Sequence, residues 1–193
     1  MARKPASGTR KRILDVAARL FGEHGVRAVG IQQVIDETGL GKSQLYREFD
    51  GKDDLVAAWL RDSDAAWWEV ADAAVARHAE DPARQILAVI ELVYDGARSP
   101  GFRGCPFYNT STEFRDPGHP GRREAVTHLE RLRERLLTLA GAAGATDPQG
   151  LSDALMLVIG GLYANGAALG PDGPVRQALT TAEALVRLHC PPR

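Results

Sequence analysis

At 193 residues the chain is long enough for one domain or two small ones, and 44% apolar with 25% charged residues is the balance of an ordinary soluble globular protein. The net charge of −1 hides an asymmetry: residues 1–52 hold 10 Lys+Arg against 6 Asp+Glu, the remainder 14 against 19. A basic head on an acidic body points to an anionic partner for the head alone, with a chance fluctuation of solvated charge as the alternative. No apolar run follows the basic start MARKPASGTRKRI, so no secretory signal is expected and the predicted location is cytoplasmic. Two distant cysteines, Cys105 and Cys190, then read as reduced thiols rather than a disulfide framework.

In chain order, the punctuation predicts an all-α fold. Thr9 is a candidate cap for a first helix in which Ile13, Val16, Ala17, Leu20 and Phe21 recur at helical spacing, ended by Gly25. Ile31, Val34 and Ile35 give a short second helix stopped at Gly39, and Leu45 and Phe49 mark a third, ended near Asp50–Gly51. A long helix from about Lys52 to Glu80 is closed by Asp81–Pro82, where proline suits the first turn of the next helix. Further helices are predicted at roughly 82–97, 105–115, 121–141, 148–168 and 174–189, separated by SPGFRG, DPGHPG, GAAGATDP and GPDGP. The uncharged stretch Ala154–Pro171 lacks basic flanks and aromatic belts, so it reads as a buried interface helix rather than a membrane span.

The second and third helices are joined by Gly39-Leu40-Gly41, a three-residue glycine turn with Leu40 placed to plug between them, the layout of a helix-turn-helix. At about 100° per residue, Ser43 and Arg47 fall opposite Leu45 and Phe49, with Tyr46 and Gln44 flanking. Gln pairs bidentately with adenine, Arg with guanine, and Ser with either. Lys42 and the Tyr46 hydroxyl suit phosphates, and Gln32 and Lys52 complete the candidate DNA-binding set. An arm with Arg3, Lys4, Arg10, Lys11 and Arg12 adds backbone or minor-groove charge. A solvated polar helix face is the alternative.

TRKRILDVAARLFGEHG followed by IQQVIDETGLGKSQLYREFDGKDDLV resembles the N-terminal domain of the TetR family of transcriptional regulators, over Thr9 to about Leu60. The resemblance rests on the aromatic-glycine end of helix one, the glycine turn, the Lys-x-x-Leu-Tyr-x-x-Phe recognition helix and the Lys-Asp-x-Leu start of helix four. It implies a homodimeric repressor that releases operator DNA when a small ligand enters its C-terminal domain. Gly30 and Gly41 depart from the family pattern by standing where Ser or Thr usually caps. Ser43-Gln44 and Arg47-Glu48 also differ, so the operator preference is expected to be this chain's own.

The body segment FRGCPFYNTSTEFRDPGHPGRR resembles a subset of the same family with a Gly-Cys-Pro-Phe start to a middle helix. Phe107, Tyr108 and Asn109, neutral until Glu113, have the composition of a pocket wall, which Trp59, Trp67, Tyr94, Phe114, Met156 and Tyr163 are candidates to complete. Any one of these, taken singly, also reads as core. Leu151, Leu155, Ile159 and Leu162, with Val175, Ala178, Leu179, Ala182, Leu185 and Val186, are expected to form a four-helix dimer interface. Intramolecular core is the alternative for some of them.

Two domains are therefore expected: 1–51, a helix-turn-helix head with a basic arm, and 52–193, a helical ligand-binding and dimerisation body. The five histidines are scattered, no Cys-x2-Cys or Gly-x-Ser-x-Gly occurs, and neither an enzyme nor a cofactor is expected. The function expected is a ligand-responsive DNA-binding repressor with a mostly apolar effector; the alternative is a ligand-independent or architectural DNA binder.

Overall fold

The computed structural model describes residues 7–190; Arg3 and Lys4 of the expected arm lie outside the described residues. Among those residues the chain is helical without a strand: α1 (Ser7–His24), α2 (Ile31–Thr38), α3 (Lys42–Glu48), α4 (Lys52–Ala76), α5 (Pro82–Ala97), α6 (Pro106–Glu113), α7 (Pro120–Ala142), α8 (Pro148–Leu169) and α9 (Ala178–His189), with a 3-10 turn at Pro174–Gln177. The chain divides into two compact units. One takes the residues up to Asp64 together with Pro106–Thr127; the other takes Ala65–Cys105 and the chain from His128 onward. The division falls inside α4 and α7.

Three expected boundaries move. α1 already begins at Ser7, so Thr9 lies in its first turn rather than capping it. α4 ends at Ala76, and residues 77–80 form turns before Asp81 caps α5 by accepting the Arg84 N–H at 2.9 Å. The helix expected at 174–189 is tightened to 3-10 geometry over its first four residues, after Pro174, and is α-helical only from Ala178.

The first unit closes around α1. Ile13, Ala17, Leu20 and Phe21 of α1, Val34 and Ile35 of α2, Leu45 of α3 and Leu55, Val56 and Leu60 of α4 are all buried, and α1 packs on α2 and α3. Each of the valine, leucine, isoleucine and phenylalanine side chains among them stabilises the fold by roughly 1.5–3 kcal/mol on leaving water. Two glycines make the turns. Gly25 (φ 81°) ends α1 with its N–H on Phe21 O at 2.9 Å, and Gly39 (φ 64°) ends α2 in the left-handed region that a side chain resists.

In the second unit α5, α8 and α9 pack on one another. Ile86, Val89, Ile90 and Val93 of α5 share a core with Leu151, Leu155, Ile159 and Leu162 of α8 and Ala182 and Val186 of α9. Most of the expected interface stripe is already buried within the chain, where α5 packs on α8 and α9, while Leu179 and Leu185 of α9 are only half-buried. What the chain leaves exposed on these helices is different, Leu157 (79% exposed), Leu169 (60%) and Leu188 (73%). α8 is long and apolar enough to cross a membrane by length and composition, yet its buried stripe is spent on this core.

Candidate nucleic-acid interface

The α2–α3 pair is short, and a single buried anchor fixes the face of α3. Leu45 is fully buried, Phe49 nearly so, and Lys42, Ser43, Tyr46 and Arg47 are exposed on the other side. Tyr46 is 43% exposed although aromatic, and the Lys42 ammonium lies 5.9 Å from its ring centroid. The turn between the helices is braced by Thr38, whose buried hydroxyl donates to Ile35 O at 2.8 Å and accepts the Leu40 N–H at 3.4 Å. Leu40 itself is half-buried.

Gln44 is placed differently from its neighbours. It is half-buried, and its Oε1 accepts the Gly41 N–H at 2.9 Å. Gly41 brings no side-chain cap, so the residue expected to read a base closes its own helix start. Gln32 is exposed and donates to Asp36 Oδ1 at 2.8 Å. Arg10, expected in the arm, is engaged at the far end of α3: it donates to Glu48 O at 2.8 Å, with its guanidinium 4.3 Å from the Phe49 ring centroid. Lys11 pairs with Asp15 at 2.8 Å. Lys52 donates to Arg27 O at 3.4 Å, and burial holds its ammonium below the ordinary lysine range, against the pull of Asp53 and Glu113.

Within the same unit, the corner between α6 and α7 is fastened to the turn between α1 and α2. Glu113 accepts the Arg27 N–H at 2.7 Å and the Val26 N–H at 3.2 Å. Arg27 holds its guanidinium 5.7 Å from the centroid of Phe114, and Phe114 stacks on His119 at 3.7 Å and 11°. His119 Nδ1 accepts the Gly121 N–H at 3.1 Å; Nε2 lies 3.3 Å from Asp53 Oδ1 without the alignment of a hydrogen bond. Arg122 donates to Ser111 O and, at 2.9 Å, to Phe114 O, closing the end of α6. Arg61 of α4 donates to Glu124 of α7 at 2.6 Å. Reading the sequence missed these roles for Glu113, Arg122 and His119; the one signal was that Glu113 is the first charge after a neutral run.

A model of bacterial regulatory proteins of the tetR family matches residues 13–59. The whole fold matches SCO4454, a TetR-family transcriptional regulator from Streptomyces coelicolor, with a TM-score of 0.90 and 32% identity over 95% of this chain and 97% of that one. The chain belongs to the TetR family. It is a transcriptional regulator rather than an enzyme. A TetR regulator from Streptomyces avermitilis gives a TM-score of 0.79 at 31% identity, over 92% of this chain and 97% of that one. The HTH-type transcriptional repressor KstR2 of Rhodococcus jostii is 42% identical over 55 residues, 28% of this chain and 27% of KstR2. The match thus spans about a quarter of that relative's length.

Against this TetR frame, the residues expected to line a pocket fall in both units. Trp59, Phe107, Tyr108, Asn109 and Phe114 belong to the first, and Trp67, Tyr94, Met156 and Tyr163 to the second. Trp59 is buried with its ring centroid 5.2 Å from Phe21, which places it in the core of the first unit. Phe107 is buried, Tyr108 half-buried and Asn109 exposed. Trp67 meets Trp68 and His128 edge-on at 4.8 and 5.1 Å. Tyr94 lies under the Arg98 guanidinium at 5.1 Å, and Tyr163 stacks on Phe102 at 6.1 Å. Met156 is half-buried on α8. A separate cleft of about 160 Å³ between α8 and α9 is lined by Val158, Gly161, Asn165, Val175 and Thr181 among others, none of them in the expected set.

Proposed function

We propose that this TetR-family chain is a repressor that binds a near-palindromic operator as a homodimer and releases it when a small, mostly apolar effector occupies its body. One observation carries the reading: α3 is anchored by fully buried Leu45 and turns Lys42, Ser43, Tyr46 and Arg47 outward from a glycine-hinged pair of helices. Arg47 and Ser43 then read base edges, with Gln44 joining them only if it leaves its cap. Lys42, Tyr46, Gln32 and Lys52 hold phosphates. The positive excess within residues 1–52 supports an anionic partner for residues 1–51 as the DNA-binding head.

Dimerisation is supported by Leu157 and Leu188, exposed on α8 and α9. Residues 52–193 make the body, which supplies this surface and the effector site, and the protein works in the cytoplasm. A dimer presents two recognition helices about one DNA turn apart, roughly 34–36 Å. Coupling of about 3 kcal/mol between effector and operator would change operator affinity about 150-fold.

The test is selection from a random duplex pool. Enrichment of a near-palindrome with half-sites one turn apart supports the reading. Recovery of no sequence above the pool, with binding that persists at low salt, would replace it with the architectural reading.

A further inference from the structure

We propose that Glu113 is a positioning residue for DNA recognition. Its carboxylate holds the turn between α1 and α2 against the end of α6, so the placement of α2, and through it of α3, is governed from the α6–α7 corner. The inference rests on the operator-reading role proposed above and adds a residue outside the helix-turn-helix.

The contact is specific in its geometry. The carboxylate uses one oxygen for each of two consecutive backbone N–H groups, Val26 at 3.2 Å and Arg27 at 2.7 Å. Both lie just past the Gly25 stop, outside the hydrogen-bond ladder of α1. A Cβ built on Gly25 would stand 3.2 Å from Glu113 Oε1, so the carboxylate is seated directly on the turn. The turn is itself stiff: Val26 and Val29 are buried at 1% and 0% exposure, and Arg27 O accepts from Lys52 of α4. Moving Glu113 therefore moves a short rigid plug immediately before α2.

Glu113 also attracts the Lys52 ammonium, but its place on its own helix does not favour an acid. Glu113 is the last residue of α6, where the helix dipole disfavours an anion. Charge-assisted bonds from two backbone donors offset that cost and are stronger than neutral ones. Arg122 closes the neighbouring α6 carbonyls, and Gly121 of α7 sits so close to α4 that a Cβ there would meet Val56 Cγ1 at 2.6 Å. The anchor that carries Glu113 is thus itself held.

The experiment uses the full chain as wild type, Glu113→Ala and Glu113→Gln. It reads amide hydrogen exchange, melting temperature, and affinity for the duplex enriched by selection and for random duplex. In Glu113→Ala the Val26 and Arg27 amides should exchange at least about tenfold faster, with α1 amides unchanged. Affinity for the enriched duplex should fall about tenfold, while random-duplex affinity stays within about twofold and melting shifts by only a few degrees. Glu113→Gln, which keeps one acceptor oxygen, should recover part of the loss. Unchanged exchange at Val26 and Arg27 would overturn the proposal. So would unchanged affinity for the enriched duplex, or a parallel loss on both duplexes that tracks the folded fraction. If the wild type enriches no sequence, the operator reading itself fails; if it enriches one and Glu113→Ala binds it equally well, only the positioning role fails.

Discussion

Gln44 Oε1 accepts the backbone N–H of Gly41 at 2.9 Å, so an α3 side chain is engaged in holding that helix's first turn. Gly41 has no side chain with which to cap, and α3 is only 7 residues long. Replacing Gln44 by Ala should lower stability by about 0.5–1 kcal/mol, measured by chemical denaturation, because one helix-start contact is lost. It should weaken DNA binding without relaxing preference at any base pair. A relaxed preference at one pair would show that Gln44 leaves its cap to read a base.

Arg47 makes no hydrogen bond or ion pair among the described residues, and it is exposed on the outward face. Arg47→Ala should cost about 1–3 kcal/mol on the enriched duplex and relax specificity at one position, measured by titrating duplexes substituted pair by pair. Lys42→Ala should instead weaken all duplexes alike and lower the salt slope by about 1. Equal losses for Arg47→Ala on every sequence would move Arg47 to the phosphate-binding group.

The head was legible in the sequence because its signals are local. Apolar spacing in α1, the Gly25 stop, the glycine turn and the opposition of Leu45 to Arg47 each lie within a few turns of one another. The Glu113 contact was not legible, since it joins residues 86 and 87 positions apart and no periodicity spans that distance. That α5 buries most of the apolar stripe on α8 and α9 was not legible for a related reason. A helical wheel shows that a face is apolar but not whether α5 or a second chain covers it.

Leu157 and Leu188 are the large apolar side chains most exposed in the structure, at 79% and 73%. Leu157→Glu with Leu188→Glu should give a folded monomer by light scattering, with unchanged helicity and operator affinity lowered at least tenfold, about 1.4 kcal/mol. A dimer that survives both substitutions would place its interface elsewhere on the chain.

Gly166 of α8 approaches the end of α5 so closely that a Cβ would stand 2.9 Å from the Ala97 carbonyl oxygen and 3.2 Å from Phe102. Backbone cannot swing aside as a side chain does. Gly166→Ala should therefore destabilise the protein by about 1–3 kcal/mol, read from denaturation midpoints. An unchanged or raised midpoint would mean that α5 and α8 separate at little cost.

The hydrogen bond from Arg133 to Asp153 at 2.6 Å, with a lesser one from Gln149, holds the Asp153 carboxyl below the ordinary aspartate range. The native state then binds this proton less readily than the unfolded chain. The pair's contribution to stability is present above the ordinary aspartate pKa of about 3.9 and is lost as the pH falls through the native value. Arg133→Ala should raise the Asp153 midpoint toward that ordinary value in a carboxyl NMR titration; an unmoved midpoint would contradict the assignment of cause.

The central claim is that α3 reads sequence rather than merely carrying charge. The direct measurement is the affinity of the wild-type protein for the enriched duplex and for a scrambled duplex of the same composition, at two salt concentrations. The account predicts a ratio of at least about 10³ in favour of the enriched duplex, held at both concentrations. Equal affinities that fall together as salt rises would contradict it.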